Sequence, residues 1–287
     1  MTGLALALVL ASAAIHATWN LLAKRSGGGG VAFVWLFAAL SALLYAPAAA
    51  WVFLTARPEL GVTEVVCLAG SSLLHLAYFL LLQRGYRAGD LSLVYPLARG
   101  TGPVLATALA IALLGERPSP VALLGAGLVA AGAFGLTLGS RSPEGGGART
   151  AVVYGLLTGM LVAAYTLWDK WGVGILLVPP LLFDWMSNFG RVLLLTPLAA
   201  RRREEIGAEW RRHRREVVGV ALLSPLSYIL MLTALSIAPV SYVAPAREVG
   251  ILFGTLLGTH FLAEGHALRR VSAACLMVLG VIALAVG

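Results

Sequence analysis

Three arginines stand among oily neighbours in this chain. Arg99 lies in LVYPLARGTGP (residues 93–103), between two prolines; Arg191 lies in FDWMSNFGRVLLL; Arg247 follows Pro245 in YVAPAREV. A guanidinium is a planar fork of donors that suits carboxylate and phosphate groups, so the chemistry these positions suggest is recognition of an anionic group. Other polar side chains share their apolar surroundings. Asp184, Asn188 and Arg191 are spaced i, i+4, i+7, and His16, Asn20 and Lys24 are spaced i, i+4, i+8. Each set forms one stripe on a helix. His75, Tyr78, Tyr95, Tyr165, Asp169, Ser224 and Tyr228 complete the group. As a set they imply a polar chamber, although any one His or Tyr could equally bond a neighbouring helix.

The elements that must hold these groups follow from composition. Of 287 residues, 59% are hydrophobic and 12% charged, and mean hydropathy is +0.88. A soluble domain carries about 25% charged residues, so this chain cannot coat a water-facing surface. Its apolar runs last about twenty residues, the length of a bilayer-spanning helix. A membrane barrel would instead alternate over strands of about ten residues. Breaks at Gly, Pro and charge clusters give ten expected helices: 3–24, 31–55, 62–84, 90–114, 119–139, 150–172, 175–199, 216–237, 241–262 and 268–287. The first is read as a retained span, since it has neither a charged leader nor a cleavage box. The basic stretch 200–216 is expected to be a loop.

The net charge of +8 is read as membrane anchoring, not nucleic-acid binding, because the arginines concentrate in one connection between spans. Fifteen Lys and Arg residues fall on one side of the ten spans and three, Arg57, Arg117 and Lys170, on the other. The positive-inside rule then places both termini outside. Cys67 and Cys275 both lie in apolar runs and suggest neither a disulfide nor a metal site. No cofactor or metal is expected.

The chain repeats itself. HATWNLLAK (His16 to Lys24) is echoed by YTLWDKWGV (Tyr165 to Val173), LVYPLARG (Leu93 to Gly100) by YVAPAREV, and LLGERPS (Leu113 to Ser119) by FLAEGHA (Phe261 to Ala267). These align Trp19 with Trp168, Asn20 with Asp169, Pro96 with Pro245, and Glu116 with Glu264. Repeats of residues 1–139 and 150–287 follow, joined by a linker over 140–149. Five spans per repeat is odd, so the second enters the membrane in the opposite sense. The fold class is thus all-α, with ten transmembrane helices in two inverted five-helix repeats. Paired interruptions in the two repeats mark a transporter's binding site, and proline opens a helix there. Pro96 and Pro245 are therefore expected to break equivalent helices beside a central cavity.

With these motifs the whole chain resembles the drug/metabolite transporter superfamily, in particular its EamA-like ten-helix members. HATWNLLAK, GDLSLVYPLARGTGPVLATALAIALLGERPS and APVSYVAPAREVGILFGTLLGTHFLAE carry the resemblance. The wording of HATWNLLAK is also similar to membrane proteins associated with phosphonate utilisation. The resemblance implies a transporter in the cell membrane with both termini cytoplasmic, opposite to the charge count. It is silent on substrate.

Charges at mid-membrane depth cost about 3 kcal/mol or more each, so they face a wet cavity or a partner. Arg99 lies about nine residues, or about 14 Å, into its helix. The expected substrate-binding set is Arg99, Arg247, Arg191, Tyr95, His16, Asn20, His75, Tyr78, Tyr165, Asn188 and Tyr228. Asp169, Asp184 and Glu248 are candidates for proton coupling or for ion pairs with the arginines or Lys170. Pro96, Pro245, Glu116 and Glu264 are read as gating or structural. The favoured function is secondary transport of a small anionic or zwitterionic metabolite by alternating access, by a monomer or homodimer. GxxxxGK[ST] is absent, so this chain does not itself use ATP. An intramembrane enzyme is the alternative, but HExxH and GxSxG are absent too. A non-transporting assembly or sensor protein is a third. The small-residue runs GAGLVAAGAFG (Gly125 to Gly135) and GTLLGTH (Gly254 to His260) allow close helix contact within or between chains.

Overall fold

The computed structural model describes residues 1–26, 30–88, 91–137, 148–253 and 267–287. The described residues form helices without strands: α1 (Gly3–Arg25), α2 (Val31–Ala56), α3 (Val62–Ala88), α4 (Leu91–Leu114), α5 (Pro120–Thr137), α6 (Ala148–Gly174), α7 (Pro180–Ala200), α8 (Arg203–Ile237), α9 (Val240–Arg247) and α10 (Ala267–Val286). After a turn at Glu248, helix resumes over residues 249–253.

Local chemistry sets the ends. The Thr2 hydroxyl caps α1 by accepting from Ala5 N–H at 3.3 Å, and Lys24 and Arg25 lie in its last turn, at the negative end of the helix dipole. The seventh helix begins at Pro180, not at residue 175. Leu177 is left-handed with φ 54°, and the Pro179–Pro180 pair holds the approach extended until Pro180 opens the helix.

Two further expectations fail. The basic stretch is no loop, because residues from Arg203 onward are helical and join the eighth span across a kink at His213 (φ −126°, ψ 28°). Glu204 and Glu205 favour this helix start, and Glu209 pairs with His213 one turn on, at 2.9 Å. Nor does Pro96 break its helix. It sits six residues into α4, where the bond it cannot donate would reach only the first-turn carbonyl of Ser92. The ninth helix does break, three residues after Pro245, at Glu248.

Packing follows a pseudo-twofold. Exchanging the halves carries α1–α5 onto α6–α10, and the packed pairs obey it. α1 lies on α8 as α6 lies on α3, α4 lies on α6 as α9 lies on α1, and α2–α7, α4–α9 and α5–α10 are self-related. The α5–α10 crossing shows the relation atom by atom. A Cβ on Gly280 would come within 2.7 Å of the Gly125 carbonyl oxygen, and one on Gly132 within 2.7 Å of the Ala273 carbonyl oxygen. With the 148-residue offset of Glu116 and Glu264, these two contacts are each other's image. The small residues of α5 therefore serve packing within the chain, while the 254–260 run lies outside the described residues. Gly125→Val is expected to force α5 off α10 and cost about 1–3 kcal/mol of stability, read as a lower melting temperature in detergent.

Candidate functional site

The polar residues converge where α3, α6, α8 and α9 meet. Asp169 of α6 is fully buried, and its Oδ2 accepts from the Tyr228 hydroxyl of α8 and lies 2.9 Å from His75 Nε2 of α3. The same Nε2 is 3.1 Å from the Tyr228 oxygen. A carboxylate only accepts, so with Tyr228 donating to Asp169, the His75 N–H is also directed at Oδ2. The His75 ring stacks on Tyr165 at 4.3 Å between centroids, and Tyr78 meets Tyr165 edge-on at 5.6 Å. On the other side of this cluster the Arg247 guanidinium carbon lies 5.6 Å from the centre of the Tyr228 ring.

Charge pairing divides the arginines. Arg99 Nε is 3.1 Å from Glu248 Oε2, and both side chains are buried. Arg191 and Arg247 have no carboxylate within 4 Å among the described residues, and the Nε of each is buried without a hydrogen bond. Asp169 Oδ1 is likewise buried without a partner. Such orphaned groups are unusual in a finished core. Arg99 and Glu248 sit 149 positions apart, the offset that aligns Pro96 with Pro245. Equivalent positions of the two halves thus hold opposite charges and meet across the α4–α9 contact. A cavity of about 210 Å³ borders the pair, with apolar walls that include Pro103, Val104, Leu123 and Ala126.

Other expected residues engage partners of their own. Asn188 Nδ2 donates to the Ala38 carbonyl of α2 at 2.9 Å, and Asn20 Nδ2 to the His16 carbonyl of its own helix at 2.8 Å. His16 meets Trp19 edge-on at 4.8 Å. Asp184 is buried on α7. Lys170 turns away from Asp169; its Nζ donates to the Leu235 and Ala238 carbonyls at 2.7 and 3.0 Å, closing the end of α8. Glu116 closes the start of α9, its two oxygens accepting from Val240 and Ser241 N–H at 2.7 and 2.8 Å. Glu116→Ala is expected to lower stability by about 0.5–2 kcal/mol through loss of this cap, read in thermal unfolding. Glu264 and the side chains of Tyr95 and Pro96 lie outside the described residues. Cys67 and Cys275 are free thiols.

Of the residues expected from the sequence, His75, Tyr78, Tyr165, Asp169, Tyr228 and Arg247 come together in the structure. Sequence reasoning missed that Arg247 stacks on Tyr228 and that Trp168 Nε1 donates to the Cys67 carbonyl at 2.8 Å, tying α6 to α3. No spacing within one helix carries such partners.

A ten-helix bundle of two inverted repeats, with buried charge where the halves meet, defines a multi-pass membrane protein of the carrier type. The family model for the EamA-like transporter family matches residues 3–138 and again 149–286. The chain belongs to that family, a member of the drug/metabolite transporter superfamily. The match does not reach the phosphonate-utilisation branch. Comparison with curated proteins gives no match. A solved structure described as "Crystal structure of protein" superimposes with a TM-score of 0.72 over 96% of this chain and 97% of that one, at 16% identity. That likeness concerns the fold alone.

Proposed function

We propose that this transporter is a secondary carrier of the cell membrane that moves a small zwitterionic metabolite by alternating access. The observation that carries the reading is the pair of opposite charges on either side of Tyr228, neither with a Lys, Arg, Asp or Glu partner within 4 Å among the described residues. Arg247 lies against the ring and Asp169 holds the hydroxyl, and each keeps an orphaned polar atom. A carboxylate or phosphonate end of the ligand meets Arg247, where the guanidinium fork fits it. An ammonium end meets Asp169. His75, Tyr78 and Tyr165 supply flat walls and fix the orientation. Arg191 and Asp184 stand on α7, which packs against α3, and Asp184 and Asp169 are the groups assigned to carry a coupling proton.

Arg99 is assigned differently from the other two arginines, because Glu248 already neutralises it. A simple anion is the second reading of the substrate, favoured by Arg191, which likewise has no carboxylate within 4 Å among the described residues. Counterflow in proteoliposomes decides between them. Protein loaded with an unlabelled zwitterion should accumulate its labelled form, and dicarboxylates or sugars should not compete. Absence of counterflow for zwitterions and anions alike would refute the reading.

A further inference from the structure

We infer that the start of α8 forms, with α2 and α7, a binding site for one anionic phospholipid, independently of what the central chamber carries. A cleft of about 290 Å³ opens there, lined by Trp35, Thr196, Ala199, Ala200, Arg203 and Ile206. Its parts come from the second turn of α2, the last turns of α7 and the first turn of α8, all at one end of the bundle. Trp35 donates its indole N–H to the Thr196 hydroxyl at 3.0 Å, and that hydroxyl donates to the Val192 carbonyl. The polar atoms of the wall are therefore satisfied, and what remains facing the cleft is alkyl and ring surface. Arg203 is the charged group at its rim.

Arg203 has no carboxylate within 4 Å among the described residues, whereas its neighbour Arg202 is held by Glu205 at 3.2 Å. Arg201, Arg202 and Arg203 are all exposed, and so are Arg211, Arg212, Arg214 and Arg215 beyond the first turns. Ile206, Gly207, Ala208 and Glu209 are half-buried, so this arm rests on the bundle and turns its guanidinium groups outward. An aromatic ring at the membrane boundary, an apolar cleft and a cluster of arginines at its mouth match an amphiphile with a negative head.

The occupant follows from those three features together. A soluble anion would leave the apolar walls unused. A phosphatidylcholine would bring its own ammonium beside the arginines. An anionic glycerophospholipid places an acyl chain in the cleft and its phosphodiester on Arg203, with Arg201 and Arg202 adding to the field. Clusters of this kind at the foot of a span attract acidic lipid with about 1 kcal/mol per arginine.

The test is spin-label lipid selectivity with the full chain in phosphatidylcholine nanodiscs. Labelled phosphatidylglycerol should associate more tightly than labelled phosphatidylcholine by about five-fold for each engaged arginine. The triple variant Arg201→Gln/Arg202→Gln/Arg203→Gln should lose that preference. Ala200→Trp, on an exposed position of the cleft wall, should lose it as well while keeping every arginine. Melting curves in phosphatidylcholine alone check that both variants fold. Equal association of the two lipids with wild type overturns the site. So does a preference that survives in the triple variant, or one that survives in Ala200→Trp, since diffuse charge attraction needs no cleft. Stabilisation by inorganic phosphate in detergent equal to that by short-chain phosphatidylglycerol also overturns it, because a free anion would then suffice.

Discussion

Replacing Arg247 by Gln is expected to weaken substrate binding by about 30-fold to several thousand-fold, the 2–5 kcal/mol typical of losing one side of a desolvated charge contact. The variant should nonetheless fold. Arg247 has no carboxylate within 4 Å among the described residues, and its contact with Tyr228 is worth only about 0.5–2 kcal/mol. Arg247→Lys should restore only part of the affinity, since an ammonium keeps the charge and loses the planar fork. Asp169→Asn separates the two substrate readings. For a zwitterion it removes the contact to the ammonium and weakens binding. For a simple anion it removes a repulsion and strengthens binding. Counterflow kinetics in proteoliposomes, beside melting curves, read all three variants. A wild-type KM for Arg247→Gln would remove this arginine from the site.

What the residues disclosed in advance, and what they did not, follows from the kind of signal each feature leaves. Spans are written in hydropathy, so eight of the ten expected starts fall within two residues of observed ones, and α7 starts late because two adjacent prolines outweigh an apolar run. The basic arm escaped because a charged stretch between spans reads as a loop. Its helical character rests on Ile206, Glu209 and His213 lying against the bundle, which is tertiary information. The stripe of Asp184, Asn188 and Arg191 could not disclose the Ala38 carbonyl that Asn188 engages, because that partner lies 150 residues away in the sequence. Lys170 likewise reads as a counter-ion until the backbone carbonyls of Leu235 and Ala238 at the end of α8 are seen to accept two hydrogen bonds from its ammonium. The Arg99–Glu248 pairing was within reach: the offset that aligns the two prolines also superimposes these two residues.

That pairing supports the second large prediction. Glu248→Gln leaves a buried guanidinium without its counter-ion and should cost about 3–5 kcal/mol of stability. The exchange Arg99→Glu/Glu248→Arg should recover most of it, because the pair joins equivalent positions and reversing it keeps one charge of each sign. A gate would behave otherwise in transport. When two inverted repeats exchange conformations, a contact between equivalent positions maps onto itself, so its separation is the same in the inward and outward states. On the alternating-access cycle proposed above, the α4–α9 contact at Arg99 and Glu248 would be a fulcrum that persists, while contacts such as Asp169 with Tyr228 and His75 join non-equivalent positions and are not held by this symmetry. Cross-linking Arg99→Cys/Glu248→Cys with a short bifunctional reagent should therefore leave counterflow at the rate of the unlinked double variant. Arrest of transport on cross-linking, reversed on cleaving the linker, would show that the pair opens and that the fulcrum lies elsewhere.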